Sequence, residues 1–138
     1  MNENVVLRTI SKALIPFILL FGLYVQTHGD FGPGGGFQAG VIFASAFILY
    51  GLVFGLGNAR RVVPSGLLLV LLSLGVLIFA GTGVAALLMG GNYLEYAVFA
   101  ADPSAGNHIG IWLVELGVGV TVSAAIVIIF MSFAGRPR

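Results

Sequence analysis

The chain has no cysteine. That excludes a disulfide framework, a thiolate metal site and any thiol redox centre. Charge is nearly as scarce: 8% of the 138 residues are charged, against about a quarter in an ordinary soluble domain. Lys12 is the sole lysine, Trp112 the sole tryptophan, and His28 and His108 the only histidines. A formal net charge of +1 with no basic patch gives nucleic acid nothing to bind. What fills the chain instead is apolar: 59% of residues are hydrophobic, and the mean hydropathy is +1.09.

The apolar residues fall into four runs, at about 5–27, 36–57, 66–89 and 108–133. Each is close to the roughly 20 residues that cross a hydrocarbon core about 30 Å thick. Lipid offers no hydrogen bonds to stray backbone groups, so such runs form helices. The alternating pattern of a membrane barrel is absent. The expected fold is an all-α membrane protein with four transmembrane helices, a single membrane domain over residues 1–138.

The six basic residues set an orientation. Arg8 and Lys12 enter span one, Arg60 and Arg61 lie between spans two and three, and Arg136 and Arg138 follow span four. All lie on one side, which the positive-inside rule assigns to the cytoplasm, so both termini are expected there. The opposite loops carry the acids Asp30, Glu95 and Asp102. Span one has the basic start and apolar centre of a signal peptide. The segment after it, Tyr24-Val25-Gln26-Thr27-His28, has no cleavage signature, so it is expected to stay uncleaved. Arg8 and Lys12, four apart on one face, snorkel to the surface. Pro16 is expected to kink that helix or to begin its regular part.

Glycine is the abundant residue, 21 of 138. Gly36, Gly40 and Ala44 recur every four residues, and Gly51 and Gly55 repeat the spacing; Gly81 and Gly83 mark span three, and Gly117 and Gly119 span four. Small residues at helical spacing let backbones approach closely in lipid, so Gly40, Gly51, Gly55, Gly117 and Gly119 are expected at helix contacts. Between spans one and two lies a dense turn, His28-Gly29-Asp30-Phe31-Gly32-Pro33-Gly34-Gly35-Gly36-Phe37-Gln38-Ala39-Gly40. Pro33, Gly34, Gly35, Gly36 and Phe37 form its structural heart, since Pro33 fixes one backbone angle and the glycines accept angles closed to other residues.

Glu115 is the sharpest candidate for chemistry. It is expected seven residues into span four, roughly 10 Å from that helix end. A carboxylate inside the membrane is costly and marks function by default. His108, Trp112, Glu115 and Gly119 share one helix face by their 4-3-4 spacing. That face offers a titratable imidazole near the surface and a titratable carboxyl within, the ingredients of an ion or proton path. The bland alternative makes Glu115 an anchor bonded to a neighbouring helix. His28 and Asp30 are external partners for proton exchange, or simply a helix-end cap and a loop hydrogen bond. Ser45, Ser73, Thr82, Thr121 and Ser123 suit hydrogen bonds between helices or back to the carbonyl four residues earlier. The glycine cluster lacks both phosphate-cradle spacings. No catalytic nucleophile set, metal-ligand spacing or cofactor motif is present.

The glycine turn, with its histidine followed by Pro33-Gly34-Gly35-Gly36-Phe37, resembles the signature of the MnhB/MrpB family, small components of multisubunit Mrp-type Na⁺(K⁺)/H⁺ antiporters. The segment Ile109-Gly110-Ile111-Trp112-Leu113-Val114-Glu115-Leu116-Gly117-Val118-Gly119 resembles that family's last helix. The resemblance implies a small subunit in the cell's inner membrane rather than an enzyme or a stand-alone transporter. Its partners would be other Mrp-type subunits and membrane lipids, and the complex would move Na⁺ or K⁺ and H⁺. It carries over His28, Pro33, Gly34, Gly35, Gly36 and Phe37. Two alternatives stand beside it: a subunit of an Mrp-like module in a redox-driven complex such as a membrane-bound hydrogenase, and a purely structural assembly subunit.

Overall fold

The structure, a computed structural model, describes residues 4–29 and 34–137. Five helices follow in order: α1 (Val5–His28), α2 (Gly36–Phe54), the short α3 (Leu56–Val62), α4 (Ser65–Leu88) and α5 (Pro103–Ala134), with a 3-10 turn at Tyr96–Phe99 before α5. The described residues contain no strand. α1, α2, α4 and α5 are each long and apolar enough to cross a membrane, as expected of a multi-pass membrane protein.

Three boundaries differ from those expected. Span two ends at Phe54, because Gly55 takes φ +95 and breaks the helix; the chain then turns into α3, which carries Arg60 and Arg61. Span four begins at Pro103, well before His108, because Asp102 caps it: its carboxylate accepts a hydrogen bond from the Ser104 N–H at 3.2 Å, and Pro103 occupies the first turn, where an N–H is not needed. α1 is helical from Val5 straight through Pro16, so the proline does not begin the regular helix.

α1 packs on α2, α2 on α5, and α5 on α4, which makes α5 the central helix. Gly36 meets Glu115, Gly40 meets Gly119 and Gly51 meets Phe130, so α2 and α5 run parallel. α4 runs antiparallel to α5, with Gly75 on Gly117 and Thr121. At one end the helices finish together. Arg8 of α1 lies over the Phe54 ring of α2, and Arg60 of α3 abuts Gly135 just past α5. The main apolar core is here: Ala44, Ala59, Val63, Leu68, Ala124, Val127 and Met131, with α3 folded back to supply Ala59, and Val63 just past its end. At the other end the helices are staggered. α2 is about 28 Å long, while α5 is about 48 Å and rises past the ends of α1 and α2.

Above that step the loop between α4 and α5 is folded onto the protruding pair. Tyr93 covers Gly83, and the Tyr96 ring fills the space beside Gly110. The Asn92 N–H donates to Glu95 Oε2 at 2.6 Å and the Glu95 N–H returns to the Asn92 carbonyl at 3.0 Å. Glu95 and Asp102 therefore tie local backbone. The small hydroxyl residues turn inward on their own helices: Ser73, Thr82 and Thr121 donate to the carbonyl four residues earlier, and Ser45 and Ser123 to the one three earlier.

Candidate functional site at the glycine turn

The end of α1, the start of α2 and the middle of α5 converge on Glu115. Gly35 takes φ +133, a conformation that only glycine holds without strain, and its N–H donates to the Val25 carbonyl at 3.3 Å. That bond folds the turn back onto α1 and brings the first turn of α2 against α5. Gly36 then packs on the Glu115 backbone so closely that a Cβ would overlap the Glu115 carbonyl oxygen.

The Glu115 carboxylate reaches into the gap between the two helix ends. A Cβ at Gly29 would stand 2.5 Å from Glu115 Oε2, and one at Gly35 would stand 3.0 Å from Glu115 Oε1 and 3.3 Å from Gln38 Oε1. The glycines are thus the room that the carboxylate occupies. The carboxyl group also stands beside the first turn of α2, where the first N–H groups lack partners within the helix.

Glu115 sits deeper in its helix than expected, about 18 Å from Pro103 along the axis rather than roughly 10 Å from the helix end. It is nevertheless level with the ends of α1 and α2, because α5 overshoots them. His108 is likewise not at the start of the helix; it lies on the exposed, protruding part of α5, two turns from Glu115. Along that face the exposure falls from His108 and Trp112, which are exposed, through half-buried Glu115 to buried Gly119. His28, half-buried at the end of α1, stacks on Tyr24 with ring centroids 5.1 Å apart, one residue from the Gly29 that abuts Glu115. Asp30 and Pro33 lie outside the described residues. Phe37 is exposed.

The glycines divide by role. Gly40 faces the Gly119 carbonyl and Val122, Gly51 faces the Phe130 ring, and Gly117 faces the Gly75 carbonyl. Gly55 is a correction: it faces open space and serves as the break after α2, not as a contact. Gly81 also faces open space. Among the described residues no three His, Asp or Glu side chains converge as a metal site would need.

Sequence reasoning missed Gln26. Its side chain is buried against Gly119, where a Cβ would come 2.5 Å from Gln26 Oε1, and its Nε2 has no hydrogen-bond partner among the described residues. It borders a cleft of about 180 Å³ between Leu23 of α1, Phe43 of α2 and Leu116 of α5. The available signal was an amide inside an apolar run, one turn after Gly22, on the same helix face.

A family model described as "domain related to MnhB subunit of Na+/H+ antiporter" matches residues 6–128. Relatives from Staphylococcus aureus strains Newman, JH1 and NCTC 8325 carry the name antiporter subunit mnhB2. Each is 37% identical over 139 residues, covering 98% of this chain and 98% of the relative. Its apolar helices, glycine turn and whole-length similarity agree: the chain belongs to the MnhB family.

Proposed function

We propose that the chain works as a small integral-membrane subunit of a multisubunit Mrp-type cation/proton antiporter, a component of a transport complex rather than an enzyme. It forms one membrane domain in the inner membrane, with the basic end and both termini cytoplasmic. Its partners are the other Mrp-type subunits, and Na⁺ or K⁺ and H⁺ are the ions of the whole complex. The naming of its relatives supports the first part. Both outer helices of the row, α1 and α4, present large apolar side chains outward, as a chain surrounded by lipid and other subunits would.

Within the complex, Glu115 lies on an ion or proton route, with His28 and His108 as outer stations. One observation carries this: the Glu115 carboxylate lies between the end of α1 and the start of α2, against Gly29 and Gly35. An ionisable side chain on a helix that spans the membrane marks an ion or proton route by default. Glu115→Gln keeps the shape and one acceptor oxygen, replaces the other with an amide donor, and removes the titratable charge. Cation/proton exchange in everted membrane vesicles is expected to be lost while the subunits still co-purify; unchanged exchange would overturn the route.

The same enclosure favours a second role, Glu115 as a tie between α5 and the turn. In that case Glu115→Gln costs assembly, and exchange falls only as the complex is lost. Co-purification from native membranes in mild detergent also separates the antiporter from a redox-linked complex, which would bring iron–sulfur or nickel–iron proteins with it.

A further inference from the structure

At the end of the bundle where the basic residues gather, a cleft of about 290 Å³ opens between the start of α1 and the end of α2, lined by Val5, Arg8, Thr9, Lys12 and Phe54. We infer that it holds the phosphate of an anionic phospholipid headgroup, with the acyl chains running along α1. The two cations, one helical turn apart, both line this cleft. The Arg8 guanidinium lies 5.3 Å from the centroid of the Phe54 ring. That contact steadies the guanidinium charge at the wall of the cleft. Lys12 adds a second, mobile donor. Among the described residues, no acid lines the cleft.

A lipid fits better than a free phosphate. Val5 and Phe54 give the cleft apolar walls beside its cations, and Pro16, Leu20 and Leu23, in line with Lys12 at helical spacing, continue as an exposed apolar track along α1. Arg60 and Arg136 stand at the same end of the bundle, the end that faces the cytoplasmic leaflet under the positive-inside rule, where anionic lipids concentrate. Basic pockets between helices on that side suit such headgroups.

The test is native mass spectrometry of the full chain released from nanodiscs of phosphatidylglycerol mixed with phosphatidylcholine. One phosphatidylglycerol per chain is expected to be retained in preference to phosphatidylcholine and to survive added inorganic phosphate. Lys12→Gln, at an exposed position that the fold does not depend on, is expected to weaken retention roughly fivefold, and Arg8→Gln with Lys12→Gln roughly 25-fold. The pair Arg60→Gln and Arg61→Gln removes equal charge from the same end and is expected to leave retention unchanged. Equal retention of phosphatidylcholine, displacement by inorganic phosphate, or equal loss in the Arg60 and Arg61 variant would each overturn the site.

Discussion

Gly36 and Glu115 are in backbone contact, the first residue of α2 resting on the carbonyl of a residue in the middle of α5. The two most distinctive features of the chain, the glycine turn and the Glu115 carboxylate, are one structure. Glycine is needed at Gly36 for closeness rather than for an unusual backbone angle. Close backbone approach is how helices associate in lipid, where burial of apolar surface gives little advantage.

Gly36→Ala should therefore force α2 away from α5. The expected cost is about 1–3 kcal/mol, the usual range for overpacking a tight contact. Gly81→Ala is the matched control, since Gly81 lies inside α4 and faces open space. It is expected to hold stability or to raise it by up to about 1 kcal/mol through helix propensity. Unfolding of both variants in mixed micelles against a denaturing detergent measures the difference.

Gly29→Ala tests the carboxylate itself. The new Cβ meets the far end of a flexible side chain, Glu115 Oε2 and Oε1, so the fold accommodates it while the carboxylate moves. If Glu115 carries ions, exchange by the assembled complex falls about tenfold or more, as for a misplaced reacting group, with little change in stability. Exchange equal to the parent would argue that the carboxylate position is immaterial.

Gly55 and Gly57 separate conformation from space. Neither has a neighbour within 4 Å of an added Cβ, but Gly55 alone has φ +95. Gly55→Ala is expected to destabilise by about 1–3 kcal/mol through backbone strain, whereas Gly57→Ala, inside α3, is not. Equal effects in the same micelle unfolding assay would show that the break after Phe54 tolerates a side chain.

Gln26→Leu removes a buried amide whose nitrogen has no partner among the described residues. Replacing such a group by an apolar one of similar size is expected to leave the isolated chain as stable or up to about 2 kcal/mol more so. If a helix of another subunit fills the cleft that Gln26 borders, the same variant weakens co-purification. Stability and co-purification measured on one variant therefore say whether the cleft beside Gln26 is an interface.

Much of this architecture was written in local composition. Each helix that can span a membrane must satisfy its own backbone, so an apolar run of sufficient length fixes a helix whatever packs beside it. The placement of Arg8, Lys12, Arg60, Arg61 and Arg136 at one end followed from counting spans. The stripe Gly36, Gly40 and Ala44 marked the face of α2 that packs, because helical period alone puts those residues in line.

Helix ends were less legible, since caps and breaks turn on single residues. Asp102 with Pro103 starts α5 early, and the positive φ of Gly55 stops α2 before the apolar run is over. The composition determined four apolar helices, their alternation and the sharing of basic charge at one end. Only the tertiary structure decided that α2 lies against α5, with Gly36 level with Glu115, and with it that Gly29, Gly35, Gly36 and Glu115 share one site and that Gln26 is buried against Gly119. The physical reason is range: periodicity orders residues within a helix, whereas these partners lie on different helices and meet through close packing that no local pattern encodes.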